Sequence, residues 1–233
     1  MAKNKPISLD DGFRPDLVEN AIFDGIFEIP HLEQVSNFST PTKVIPFSLR
    51  NRTSDFSELV VFFEKDRMFR ELLQKPEDYT EDLRRFAGGI TTPDCSLYRD
   101  SPLSVQIANT YKNRALGYFY QRQGLTVIPT VRWGDERSYS KTVFPEAFSF
   151  LGIPKKSVVA IGTYGCIKGK ENKFYFEEGL EAMLKTLMPH TVIVYGRMPD
   201  NVFEQYSKET KFIHFLDWTS IVKRQGEGHN GSR

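Results

Sequence analysis

Leu125-Thr126-Val127-Ile128-Pro129-Thr130-Val131, followed at once by Arg132-Trp133-Gly134-Asp135, decides the fold class. The stretch is apolar and β-branched, is entered from Gly124 and is left through a polar turn, so it reads as a strand. Its apolar residues run on instead of alternating with charged ones. Such runs belong to strands covered on both faces, as in parallel sheets. Just upstream lies the longest helical stretch of the chain, 102–123. Ser101 suits the N-cap, Pro102 the first helical position and Gly124 the C-terminal stop. Ile107, Tyr111, Ala115 and Tyr118 recur at helical spacing and mark a face toward the core. A helix feeding directly into an apolar strand is the building unit of an α/β fold.

Working outward, the same unit recurs. Lys43–Phe47, Leu59–Phe63, Phe86–Ile90, Ser157–Gly162, Thr191–Tyr195 and Phe212–Leu216 read as further strands. Between them, 67–86 (broken near Pro76), 145–151, 174–188 and 199–206 read as helices. The expectation is an α/β domain with a mainly parallel sheet of about six or seven strands and helices on its faces. The sheet is either open or curled into a partial barrel, since a full eight-unit barrel needs about 250 residues. Residues 31–222 are expected to form this single domain. Residues 1–30 form an N-terminal extension packed on it, with Phe13, Leu17, Ile22, Phe23, Ile26 and Phe27 in a short helix and loop. The polar segment 223–233 is expected to be a disordered tail.

Composition narrows the function classes. The chain has 233 residues, enough to bury a core without disulfides or metals. Its 31 basic and 30 acidic residues leave a net charge of +1, so there is no global attraction to nucleic acid or membranes. A local basic patch is compatible with that total. The two cysteines, Cys95 and Cys166, have no zinc-site spacing and point to a reducing compartment. The polar N-terminus lacks an apolar signal core, and no run reaches the roughly 18 apolar residues of a membrane helix. The expected location is the cytoplasm.

In parallel α/β sheets, ligands bind beyond the carboxyl ends of the strands. Those ends carry Thr91–Asp100, Arg132–Asp135, Thr163–Cys166, Tyr195–Arg197 and Asp217–Trp218, which hold both tryptophans and both cysteines. The opposite ends are plainer. Asp94 and Asp135 are the candidate catalytic pair, able to divide acid and base work if their environments separate their pKa values. Against that, each aspartate can simply organise a turn. Tyr98, Arg99, Trp133, Thr163, Tyr164 and Arg197 are the candidate substrate-binding residues, with Trp133 placed to stack a ring or to close the core. Convergence of Asp94, Asp135 and Asp217 on magnesium stays open, but no metal site is assigned and no motif names a cofactor. Lys168 and Lys170 stand in a loop that fails the phosphate-loop pattern. Lys112-Asn113-Arg114 reads as the polar, solvated face of the long helix.

The ordered set Pro93-Asp94-Cys95-Ser96-Leu97-Tyr98, Pro102, Gln106, Asn109, Tyr111-Lys112-Asn113-Arg114, Gly124, Ile128-Pro129, Trp133, Gly152-Ile153-Pro154 and Tyr195-Gly196 resembles the domain-of-unknown-function family numbered forty-four-seventeen. The resemblance spans roughly Pro30 to Arg197. It implies a setting among bacteria, archaea, phages and integrative mobile elements, and it carries no activity and no catalytic residue. Two readings follow. One is a hydrolase or transferase acting on a nucleotide, nucleic acid or glycan at the strand ends. The other is a non-enzymatic factor that binds a host protein or nucleic acid. A deep cleft with converging carboxylates favours the first, and a filled strand-end face the second.

Overall fold

The computed structural model describes residues 14–35 and 38–222. The described residues open with a 3-10 turn, Pro15–Val18, and a short antiparallel hairpin of β1 (Phe23–Asp24) and β2 (Ile29–Pro30). The helix and loop expected here is therefore corrected. The chain reverses at Gly25, whose φ of +68° is open to glycine. Phe13 and the proposed tail lie outside the described residues.

Then come β3 (Val44–Pro46), β4 (Leu59–Val61), α1 (Arg70–Gln74), α2 (Thr80–Arg84), β5 (Ile90–Thr91), α3 (Leu103–Arg122) and β6 (Val127–Ile128). They are followed by α4 (Glu136–Tyr139), β7 (Val158–Gly162), α5 (Lys170–Leu187), β8 (Thr191–Tyr195), α6 (Asp200–Phe203) and β9 (Lys211–Phe215). Every pairing from β3 onward is parallel, and the strands lie side by side in chain order. The single sheet of six or seven strands is corrected to two, β3-β4-β5-β6 and β7-β8-β9. Pro129 stands where β6 would continue, and it has no N–H to extend a ladder. The sheets touch through one parallel bridge, Thr130 to Ala160. It is closed by Ala160 N to Pro129 O at 2.8 Å and Val131 N to Ala160 O at 2.9 Å.

Strand residues alternate between two environments. Leu59, Val61, Ile128, Val158, Ala160, Ile193 and Tyr195, from both sheets, form one shared cluster. Their neighbours face outward. Val60, Ile90 and Val127 pack on Leu116 and Tyr120 of α3. Val159, Ile161, Val192 and Val194 pack on Phe176, Leu180 and Met183 of α5 and Phe203 of α6. Each fully buried Val, Leu or Ile side chain contributes about 1.5–3 kcal/mol. At the carboxyl end Phe63 spans the shared interior, stacked on Tyr195 with ring centroids 5.4 Å apart. A Cβ on Gly162 would sit 2.6 Å from the Phe63 ring, so that close approach requires glycine.

Two expectations for α3 are corrected. No side-chain bond caps it: Pro102 is the N-cap, and its carbonyl accepts from Val105 and Gln106 at 3.0 and 3.2 Å. The presumed solvated residues Asn113 and Arg114 are buried, on the stripe that also holds Gln106, Thr110 and Gly117. The helix expected over 145–151 contracts to a 3-10 turn, Phe148–Phe150, while α5 starts at Lys170, earlier than expected.

Candidate functional site at the strand ends

Asp94 follows β5 and is 1% exposed. Arg132, the first residue past the strand stretch that ends at Val131, grips it with two hydrogen bonds: Nε to Oδ1 at 3.1 Å, and Nη2 to Oδ2. The same guanidinium donates through Nη1 to Cys166 Sγ at 3.0 Å, in the loop after β7. Burial pushes the Asp94 carboxyl up, against the pull of Arg132. Burial also disfavours the Arg132 cation, but the Asp94 charge and hydrogen bonds outweigh it and hold Arg132 above the usual arginine range.

A polar belt extends to both sides of this pair. Toward β4, Ser96 donates its hydroxyl to Asp66 at 2.8 Å. Toward β8, Thr163 N donates to Tyr195 O at 3.0 Å, and a Cβ on Gly196 would lie 2.5 Å from Thr163 Oγ1. Toward β9, Gly196 N donates to Phe215 O at 2.8 Å, and His214 Nε2 lies 2.6 Å from Gly196 O. Trp218 N donates to the Tyr195 hydroxyl at 2.9 Å. Beneath the belt, Asn113 donates to Pro93 O and Thr130 Oγ1, each at 2.6 Å. Arg114 donates to the carbonyls of Thr130, Ser149 and Leu151, all at 3.0 Å. Burial lowers the Arg114 guanidinium to about 9, which leaves it charged at neutral pH.

The structure brings Asp94 and the 132–135 turn to the same end of the sheets. It does not join Asp94 to Asp135. Asp135 caps α4, accepting from Arg137 N at 3.1 Å, and is ion-paired to the Arg137 side chain at 2.8 Å. Asp217 binds Ser220 through both oxygens. Among the described residues, no group of three His, Cys, Asp or Glu is arranged to hold a metal ion. Trp133, 9% exposed, lies under α5: Nε1 donates to Tyr175 O at 3.2 Å, and a Cβ on Gly179 would approach Nε1 to 2.2 Å. Its ring closes the core instead of facing solvent. Thr163 is buried. Arg99 is clamped to Glu171 at 2.8 Å and Asn172 at 2.9 Å, over the Tyr175 ring at 4.7 Å. Tyr98 and Tyr164 are 63% and 66% exposed, and Arg197 is exposed.

Sequence reasoning passed over Arg132, although it is the first residue after its strand, where the strand-end rule points. It left out Trp218, which is 43% exposed. His214 is exposed on the edge strand β9. Cavities of about 750 and 450 Å³ open elsewhere, and neither is lined by a candidate site residue.

A family model described as "Domain of unknown function (DUF4417)" matches residues 21–218. The chain belongs to this family. Among curated proteins, it is 29% identical over 180 residues to "Gene 1 protein" of Mycobacterium phage D29, covering 74% of this chain and 61% of that protein. It is 28% identical to "Gene 1 protein" of Mycobacterium phage L5, covering 74% of this chain and 72% of that protein. The chain thus spans less than two thirds of the D29 relative. No solved structure matches. No helix of the described residues is long and apolar enough to cross a membrane.

Proposed function

We propose that this DUF4417 protein is a non-enzymatic factor that binds single-stranded nucleic acid along the strand-end rim. One observation carries the reading: exposed aromatics and unpaired cations share that rim. Tyr98 follows β5, Tyr164 follows β7 and Trp218 follows β9. Lys65 and Arg67 after β4, Lys168 and Lys170 after β7 and Arg197 after β8 are exposed and pair with no carboxylate among the described residues. Bases stack on aromatic faces for about 1–3 kcal/mol each, while cations follow the phosphates. A net charge of +1 fits a local patch. The two sheets, acting together as one incomplete barrel, would present this rim as a continuous face.

The hydrolase or transferase reading needs a carboxylate that can change protonation in an open cleft. Asp94 is sealed by Arg132, and Asp135 is spent on a helix cap and Arg137. The relatives' names assign no activity, so the proposal rests on the rim. Fluorescence anisotropy with labelled oligo-dT tests it. Combined Lys168→Glu, Lys170→Glu and Arg197→Glu should weaken binding at least about tenfold and flatten its salt dependence. Equal affinity in wild type and variant would refute it.

A further inference from the structure

We infer that the outer edge of β9 pairs with β9 of a second copy of this chain, antiparallel, about a two-fold axis through Ile213. The inference concerns a sheet edge and stands apart from the nucleic-acid reading, which rests on the rim.

Among the described residues β9 pairs with β8 alone. Lys211 N donates to His190 O at 3.1 Å, and Phe215 O accepts from Gly196 N at 2.8 Å. Lys211 and Phe215 therefore face β8, and so does Ile213, because backbone groups alternate in direction along a strand. The N–H and C=O of Phe212 and His214 point away from the sheet and make no hydrogen bond among the described residues. A row of such groups is a template for another strand. The far edge of the other sheet is blunted. Leu59 N donates to Lys43 O at 3.1 Å, which turns Lys43 and Ile45 toward β4 and puts Pro46 on the outward side, where it has no N–H to offer.

The sequence of β9, Lys211-Phe212-Ile213-His214-Phe215, selects a second copy as the occupant. With the axis at Ile213, Phe212 of each copy exchanges both backbone hydrogen bonds with His214 of the partner subunit, so every outward group of the strand is satisfied. Lys211 then stands opposite Phe215 and Ile213 opposite Ile213, so no basic residue faces another. A groove of about 750 Å³ runs beside the strand, with Met198, Phe203, Thr210 and Phe212 in its lining. By alternation Leu216 lies on the same face as Phe212 and His214, and the two-fold axis sets it opposite Thr210 of the partner subunit. Leu216 is half-buried and joins none of the three core clusters of the described residues. The groove thus receives a leucine that its own chain leaves outside the core.

Sedimentation velocity of the full chain from about 1 to 500 μM tests this, a range that spans weak association. A monomer–dimer equilibrium is expected. His214→Pro removes an outward N–H and spares the ladder to β8, since proline is tolerated on an edge strand where its nitrogen faces solvent. It should weaken dimerisation at least about tenfold, because the two-fold axis counts the lost bond twice. His214→Ala keeps the N–H and should dimerise within about threefold of wild type. Amide exchange in the wild type reads the pairing without any variant. The Phe212 and His214 amides should exchange fast in dilute protein and slowly in concentrated protein, while Ile213, bonded to β8, stays slow in both. A monomer throughout the range would overturn the inference. So would undiminished dimerisation of folded His214→Pro, equal loss in His214→Ala, or a dimer whose Phe212 and His214 amides stay fast.

Discussion

Asp94 shows how one residue can lie where a rule points and still do different work. The strand-end rule located it, and composition could not show that Arg132, 38 positions on, would take both its oxygens. Such pairing depends on the register of β5 against β6, which no local pattern encodes. Asp94 is buried and the Arg132 side chain is 24% exposed, so deleting the carboxylate strands a charge that solvent reaches only in part. Asp94→Ala should therefore cost about 3 kcal/mol in urea unfolding, because Arg132 loses its counter-ion. A change below about 1 kcal/mol would mean that solvent already screens the pair. Glu171 gives a pH test of the clamp between the loop after β5 and the start of α5. The hydrogen bond from Arg99, and then its charge, hold the Glu171 carboxyl below the usual glutamate range. A carboxyl lowered by folding contributes stability at pH values above its ordinary range, and that contribution is lost as pH falls through the lowered value. NMR titration should show the depressed midpoint in wild type and a return to about 4.3 in Arg99→Ala. An unaltered midpoint would remove the clamp.

At the scale of elements, helix α3 was legible in extent and misread in orientation. Periodicity of apolar residues places Ala115 and Tyr118 in the interior, and they are buried. It could not show that Asn113 and Arg114 are buried too, because burial of polar groups depends on carbonyls supplied by distant turns at Thr130, Ser149 and Leu151. The cap was misread because a favourable residue type makes no bond here. Ser101→Ala should accordingly shift stability by less than about 0.5 kcal/mol. Gly117→Ala makes the opposite point. Alanine favours a helix by about 1 kcal/mol, yet its Cβ would meet Thr92 Cγ2 at 2.5 Å and Leu32 at 3.0 Å. Overpacking costs about 1–3 kcal/mol, so thermal unfolding should show net destabilisation. A stabilised variant would mean that α3 can move off β5.

For the whole molecule, the seven strands of the two parallel sheets were readable as apolar runs, and so was their parallel pairing. The division into two sheets was not, because one proline at the end of β6 decides it. The short hairpin β1–β2 was also missed, since Phe23-Asp24 and Ile29-Pro30 lie in a stretch that mixes apolar and acidic residues and forms no apolar run. The common direction of β3 to β9 gathers Tyr98, Tyr164, Trp218 and the unpaired cations onto one rim, and that placement is the central claim. Its most direct test is tryptophan emission during titration with oligo-dT at low salt. Trp133 is buried and Trp218 is exposed, so stacking on the rim should quench the solvent-exposed component alone. The account predicts saturable quenching that disappears in Trp218→Phe and weakens as salt rises. Unchanged emission in the wild type at saturating oligonucleotide would contradict it.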